Sequence, residues 1–264
     1  MHFATLASGS SGNAILVGEE NRSFLVDCGI TVKKLLANLS MVNTSPLQIE
    51  GIIITHEHTD HIKGVGALAR KLNIPVYATN ALWEVMEDNL GDLKPEQKIL
   101  VQEEDLSLAG MNIRLVPTSH DSRESYGLKV TGRKLTLGIA TDSGIITEEM
   151  HRNLQGCDAY IVEANHDLQK LMHGRYPWYL KKRISSNHGH LSNVQLAEAL
   201  CEWLTENTQK VVLAHLSEEN NTPEIALSTV LGILRDSQAR RRCAGLKLRV
   251  APRHIPHELI VLEE

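Results

Sequence analysis

The sequence predicts an α/β layered fold whose sheets are mixed or antiparallel, and three observations carry that expectation. Short apolar runs of strand length recur along the chain, longer amphipathic stretches lie between many of them, and several strands follow one another with no helix between, over residues 1–27 and 98–141. Parallel neighbours need a crossover, usually a helix, so the helix-free stretches argue against an all-parallel sheet. Strands are expected at Ala14–Val17, Phe24–Asp27, Gly51–Thr55, Ile113–Thr118, Lys134–Thr141, Asp158–Ala164 and Val211–His215. After Ser192, a helix N-cap, Val194, Leu196, Ala197, Leu200, Cys201 and Leu204 recur at helical spacing. Pro223 to Leu234 repeats that pattern with Pro in the first turn. No repeat, low-complexity tract or linker interrupts the chain, so residues 1–264 are expected to form a single domain.

Composition narrows the function classes. The 264 residues are 42% hydrophobic and 22% charged, which excludes disorder and collagen-like repeats. No apolar run approaches the roughly 18 residues of a membrane span, and the N-terminus opens on the strand-like His2-Phe3-Ala4-Thr5-Leu6 instead of a signal sequence; a cytoplasmic protein with no membrane partner is expected. Cys28, Cys157, Cys201 and Cys243 are far apart and form no CxxC pair, so they are expected to be reduced. The net charge of -5 excludes a pervasive nucleic-acid-coating surface but allows a local basic groove. Thirteen histidines point toward metal.

The run Thr55-His56-Glu57-His58-Thr59-Asp60-His61 leaves an apolar strand directly and places four potential ligands within six residues. On a helix His56 and Asp60 would share a face; in a tight loop alternate side chains converge on one point. The run is not the HExxH helix of metalloproteases, because Asp60 stands four residues after His56. Neutral imidazoles and carboxylates suit zinc, manganese and iron. Asp27, His120, Asp142 and His215 stand at other expected strand ends, a recurrence that chance explains poorly.

With these residues the sequence resembles the metallo-β-lactamase-fold hydrolases, whose HxHxDH motif it matches letter for letter, and the order of five motifs extends the resemblance over nearly the whole chain. The resemblance implies an αββα sandwich, two mixed β-sheets flanked by helices, with two divalent metal ions at one edge: Mn²⁺ or Zn²⁺, or else Fe. It implies that His56, His58 and His120 hold the first ion, that Asp60, His61 and His215 hold the second, and that Asp142 bridges them. Asp27 is similar to the carboxylate that orients the histidine loop in these enzymes. Two such ions, offset by Asp60, Asp142 and a bridging hydroxide, leave a net positive site suited to a phosphate ester, where they activate water and stabilise a leaving oxygen. Antibiotic-cleaving metallo-β-lactamases carry Cys where Asp142 stands, and flavo-di-iron proteins carry Glu where His58 stands, so neither activity is expected.

Three further segments resemble YycJ/WalJ-type nucleases. They are Ser8-Gly9-Ser10-Ser11-Gly12-Asn13, Glu163-Ala164-Asn165-His166-Asp167 and Gly189-His190-Leu191-Ser192-Asn193. The first clusters backbone N–H groups, hydroxyls and an amide, suited to phosphate oxygens or to bracing the metal loop. Ser10, Ser11, Asn13 and Ser192 are accordingly the candidate phosphate contacts. By similarity to tRNase Z and RNase J, His190 is the candidate general acid, Glu163 its orienting carboxylate, and Asp60 joins them among the catalytic residues. Without that similarity Gly189 and His190 merely shape a helix entry. His166 and His188 read as surface or capping histidines. His2, His151, His173, His254 and His257 lack convergent partners. Arg175 and Lys181-Lys182-Arg183, with Tyr176, Trp178 and Tyr179 interleaved, either hold a phosphate backbone and stack a base or form a solvated helix face; Arg240-Arg241-Arg242 reads as a solvated turn.

The chain has no room for the inserted domain of RNase J and no long arm of the tRNase Z kind. The resemblance therefore implies a compact metal-dependent phosphodiesterase, a 5′→3′ exonuclease acting on DNA rather than RNA with a role in DNA repair, with no protein partner. A glyoxalase-II-like thioesterase or lactonase shares the seven ligands but does not require the Glu163/His190 pair. A metal-stabilised scaffold would not need an intact dinuclear centre.

Overall fold

The computed structural model describes residues 1–102, 105–242 and 245–263. Strands β1 (His2–Ala7), β2 (Ala14–Glu19), β3 (Arg22–Val26), β4 (Ile49–Ile53), β5 (Val76–Ala78) and β6 (Lys98–Leu100) lie side by side in sequence order. Strands β7 (Asp105–Leu108), β8 (Met111–Pro117), β9 (Tyr126–Thr131), β10 (Thr136–Ala140), β11 (Ala159–Glu163), β12 (Lys210–Ala214) and β13 (Lys247–Val250) form the second sheet, also in order. A last strand, β14 (Ile260–Val261), returns to pair with β1.

Both sheets are mixed, as expected. β1–β3 are antiparallel, and β3–β6 are parallel. β7–β10 are antiparallel, and β10–β13 are parallel. Residues 1–27 form the antiparallel half of the first sheet, and residues 98–141 give β6, parallel to β5 in that sheet, and then the antiparallel half of the second. The expected strands are all present, with ends shifted by a few residues. β9 is absent from the apolar runs because Gly127 and Lys129 alternate with Leu128 and Val130, and β5 is only three residues long.

Helices α1 (Val32–Met41), α2 (Thr59–Ile62), α3 (Val65–Leu72) and α4 (Asn80–Leu90) belong to the first half of the chain. Helices α5 (Glu148–Leu154), α6 (Leu168–His173), α7 (Trp178–Ile184), α8 (Asn193–Trp203) and α9 (Pro223–Asp236) belong to the second. Period-2 alternation assigns the strand residues to layers. Phe24 and Val26 of β3, with Ile161 of β11 and Val212 of β12, fill the space between the sheets. Leu25 faces α1, α3 and α4, and Tyr160, Val162, Val211 and Leu213 face α5, α8 and α9. Strands buried on both faces carry continuous apolar runs, which is why they were legible. The result is the αββα sandwich.

α8 begins where expected. Ser192 Oγ accepts from Gln195 N, the Gln195 side chain reaches back to the Ser192 N–H, and Leu196, Ala197, Leu200 and Leu204 are buried. Such a cap contributes about 1 kcal/mol. Cys28, Cys157 and Cys201 are free thiols, and Cys243 lies outside the described residues. Among the described residues no helix is long and apolar enough to cross a membrane.

Candidate metal centre

The ends of β3, β4, β10, β11 and β12 meet at one edge of the sandwich. Three of the chain's few non-glycine residues with positive φ stand there: Asp27, Asp142 and His215, at 61°, 59° and 54°. A left-handed residue costs on the order of 1 kcal/mol, and such strain gathers where a site demands a particular side-chain direction. Here it turns the chain sharply just past β3, β10 and β12.

The His56–His61 run leaves β4 and closes into α2. It is clamped to the loops after β1 and after β3 by backbone hydrogen bonds, Asn13 N to Asp60 O at 2.8 Å and Cys28 N to His61 O at 2.8 Å. Gly29 permits this approach, since a Cβ there would overlap the Asp60 carbonyl. Buried Asp27 accepts from Thr55 N at 2.9 Å, Thr55 Oγ1 at 2.7 Å and His61 Nδ1 at 2.7 Å. Thr55 Oγ1 lies 3.0 Å from His56 Nδ1. One carboxylate therefore orients two imidazoles.

The second sheet supplies single residues. His120 Nδ1 lies 3.0 Å from the Gly189 carbonyl. Glu163, fully buried at the end of β11, receives His190 Nδ1 at 2.7 Å and His215 Nδ1 at 3.0 Å on Oε1, and Ser143 N and Leu191 N at 3.2 Å on Oε2. Burial alone would raise its pKa, but the His190 and His215 imidazoles hold it far below the usual carboxylate range. Asp142 is likewise held low against burial, by His215 and His61.

Donor atoms of His56, His58 and His120 lie within 4.8 Å of one another, as do those of Asp60, His61 and His215; of His56, His61 and Asp142; and of Asp142, Glu163, His190 and His215. The structure thus brings together every ligand candidate, with Asp142 common to two groups. His56 Nε2, Asp142 Oδ2 and His215 Nε2 are buried without a hydrogen-bond partner. Such atoms are costly unless something occupies them, and imidazole nitrogens with carboxylate oxygens are a donor set that fits divalent ions. Glu163 belongs to one group, and four hydrogen-bond donors already converge on its two oxygens.

The Beta-lactamase superfamily domain model matches residues 22–216. Exodeoxyribonuclease YycJ of Bacillus anthracis is 38% identical over 239 residues, covering 89% of this chain and 90% of the relative. Exodeoxyribonuclease WalJ of Streptococcus pneumoniae is 38% identical over 235 residues, covering 88% and 87%. This chain belongs to the YycJ/WalJ family of the β-lactamase superfamily. It is a hydrolase. In fold it is similar to the metallo-β-lactamase fold protein YhfI of Bacillus subtilis, with a TM-score of 0.72 over 97% of this chain and 98% of that one at 18% identity. The family model spans Asp27 to His215, hence every ligand candidate, while Ser8–Asn13 precedes it.

Other residues of this YycJ/WalJ-family hydrolase take varied places. Ser10 lines the cleft together with His58, Asp60, His120, Asp142, His190 and His215. Ser11, Asn13 and Ser192 do not line it: Ser11 is exposed and Ser192 caps α8. Asn13 braces the metal loop, its Nδ2 lying 3.0 Å from His61 Nε2 and 3.2 Å from Asp60 Oδ2. His166 is not at the surface; it is 1% exposed beneath the cleft, with Nδ1 unpartnered, because its backbone bridges to Ser192. Burial lowers its pKa to about 4. His188 is exposed, with Nδ1 3.1 Å from Ser119 Oγ.

The basic cluster divides. Lys181 is buried with Nζ on the Met172 carbonyl, whereas Tyr176, Leu180, Arg183 and Ile184 line the cleft and Trp178 and Tyr179 stand exposed beside it. Arg242 is not solvated along its length, since it donates to the Cys201 and Leu204 carbonyls. Sequence reasoning missed Asp121, which pairs with Arg183 and approaches His120 Nε2 at 3.4 Å. Its only signal was its place directly after a ligand candidate. Asn165, quoted only within its motif, lines the cleft and donates to the His215 carbonyl.

Proposed function

We propose that this hydrolase is a dinuclear metal-dependent phosphodiesterase that degrades DNA from the 5′ end, in the cytoplasm, in the service of DNA repair. The observation that carries the reading is the Glu163–His190 pair beside Asp142. It adds a positioned proton donor to a cluster that already satisfies a metal set, and hydrolysis of an ester with a thiolate leaving group has no need of it. The exodeoxyribonuclease names of the two relatives support DNA as substrate.

His56, His58 and His120 would hold one ion, and Asp60, His61 and His215 the other, with Asp142 between them. When bound, Mn²⁺, Zn²⁺ or Fe would supply activation of water and neutralisation of phosphate charge. Asp27, Thr55 and Asn13 keep the His56–His61 loop in register. Glu163 holds Nδ1 of His190 and so turns Nε2 toward the cleft, where the ring would hand a proton to the departing O3′ as the P–O3′ bond breaks. Water forms the new P–O bond as O3′ departs and loses a proton to solvent, so the terminal nucleotide leaves with a free 3′-hydroxyl and the shortened strand keeps a 5′-phosphate.

The test is degradation of a 5′-phosphorylated, end-labelled DNA duplex with added Mn²⁺, run beside Asp142→Ala. Mononucleotides released from the 5′ end by the wild type alone are expected. Intact DNA with fully metal-loaded protein would sink the reading and turn attention to RNA, then to thioesters.

A further inference from the structure

A second cavity adjoins the metal cleft and shares Ser217 with it. Its polar lining is Ser8, Ser217, Glu218, Asn221, Thr222 and Arg253, and the remaining wall is apolar. Arg253 is placed there by the fold: Ala251 N pairs with Leu213 O, carrying the chain past β13 alongside the exit of β12, and Ser8 N donates to the Arg253 carbonyl. The residue is thus wedged between the Ser8–Asn13 loop and the turn that follows His215. Ser8 Oγ in turn accepts from His215 N at 2.7 Å.

The guanidinium packs against Gly9, where a Cβ would meet Nη1 at 2.9 Å, and Gly9 has a φ of 135° that favours glycine. Nη2 donates to the Leu216 carbonyl at 2.8 Å. That bond uses one of five donors and does not need a positive charge. The nearest carboxylate, Glu218, is 4.0 Å from Nη1 and 74% exposed, a solvent-screened pair that neutralises little. A planar, largely uncompensated cation, 20% exposed and facing a cavity beside the reaction centre, suits an anion with several acceptor oxygens.

The cavity adjoins the leaving-group side of the site. Ser217 follows His215 by two residues, and the His215 and His190 rings are 5.2 Å apart. We propose that Arg253 and this cavity bind the 5′-terminal phosphate of the DNA strand, on the nucleotide whose O3′ receives the proton from His190. Binding there sets the register of cutting one nucleotide from the end. The inference rests on the nuclease reading above.

DNA duplexes with a 5′-phosphate or a 5′-hydroxyl, cut by the Mn²⁺-loaded enzyme, test it. The wild type should favour the 5′-phosphate by about 10- to 100-fold in kcat/KM, chiefly through KM, the range of a charge-assisted hydrogen bond. Arg253→Gln retains a donor for the Leu216 carbonyl and should bring that ratio close to one; Arg253→Lys should keep part of it. A wild type that degrades both ends equally, or an Arg253→Gln enzyme that keeps the full ratio, overturns the proposal while leaving the nuclease reading standing. If neither duplex is cut, the reading as a DNA nuclease itself fails. Should the Gln variant not fold, the wild-type ratio and the Lys variant decide.

Discussion

The first sheet brings its ligand candidates to the cleft in one run, His56 to His61, whereas the second delivers His120, Asp142, Glu163, His190 and His215 singly from separate segments. The run is assembled by local geometry and then braced from outside, by Asp27 on His61 and Thr55 and by Asn13 on His61 and Asp60. The single residues depend on the order of β8, β10, β11 and β12 in the sheet, and they support one another through Glu163. A contiguous loop can hold metal without chemistry, while the scattered set places Asp142 and a proton donor side by side. Metal retention should therefore depend on the run together with His120, Asp142 and His215, and turnover without metal loss should follow His190 in the second half.

Asp142→Ala touches both halves and is the largest change. Turnover and metal content should vanish together, read by activity and by elemental analysis; retained metal would remove Asp142 from the ligand set. His190→Ala should lower kcat by about 10²–10⁴ with metal retained, the usual weight of a general acid. Metal loss in that variant would instead place His190 among the ligands and dissolve the division between the halves. Asp27→Asn should weaken metal affinity by about 10–100-fold with little change in kcat at saturating metal, the usual weight of a residue that orients a ligand.

Two smaller effects depend on pH. Burial alone would lower the pKa of His61, but Asp142, Asp27 and Asp60 outweigh it and raise the value to about 9 in the metal-free protein. A metal must displace that proton, so affinity should rise with pH up to about 9 and metal addition should acidify a weakly buffered solution. An unchanged pH on loading would contradict this. For His166 the sign is opposite. Its folded pKa of about 4 lies below the unfolded 6.5, so the unfolded chain takes up the proton first and stability falls as pH drops from 6.5 toward 4. The loss is on the order of 3 kcal/mol. In urea unfolding the gap between wild type and His166→Gln should narrow by that amount over this window; parallel curves would show that His166 does not titrate in it.

Much of the fold was legible because the central strands are apolar on both faces, so β2, β3, β4, β10, β11 and β12 stand out as short runs. β9, with Lys129 and Gly127 interleaved, and the three-residue β5 did not. The His56–His61 run announced itself by density of ligand types. His166 was misread because burial is not local: the same histidine letter caps a surface helix or sits beneath a cleft according to what the bridge to Ser192 packs over it.

Periodicity, capping and ligand chemistry are properties of neighbouring residues, so the layered class, the N-cap at Ser192 and the candidate metal-holding residues could be read along the chain. Packing placed Asn13 against His61 and Asp60, brought four donors to Glu163 and set Arg253 beside the turn after His215. Those roles depend on distances between segments far apart in the chain, and such distances are fixed by packing two sheets face to face.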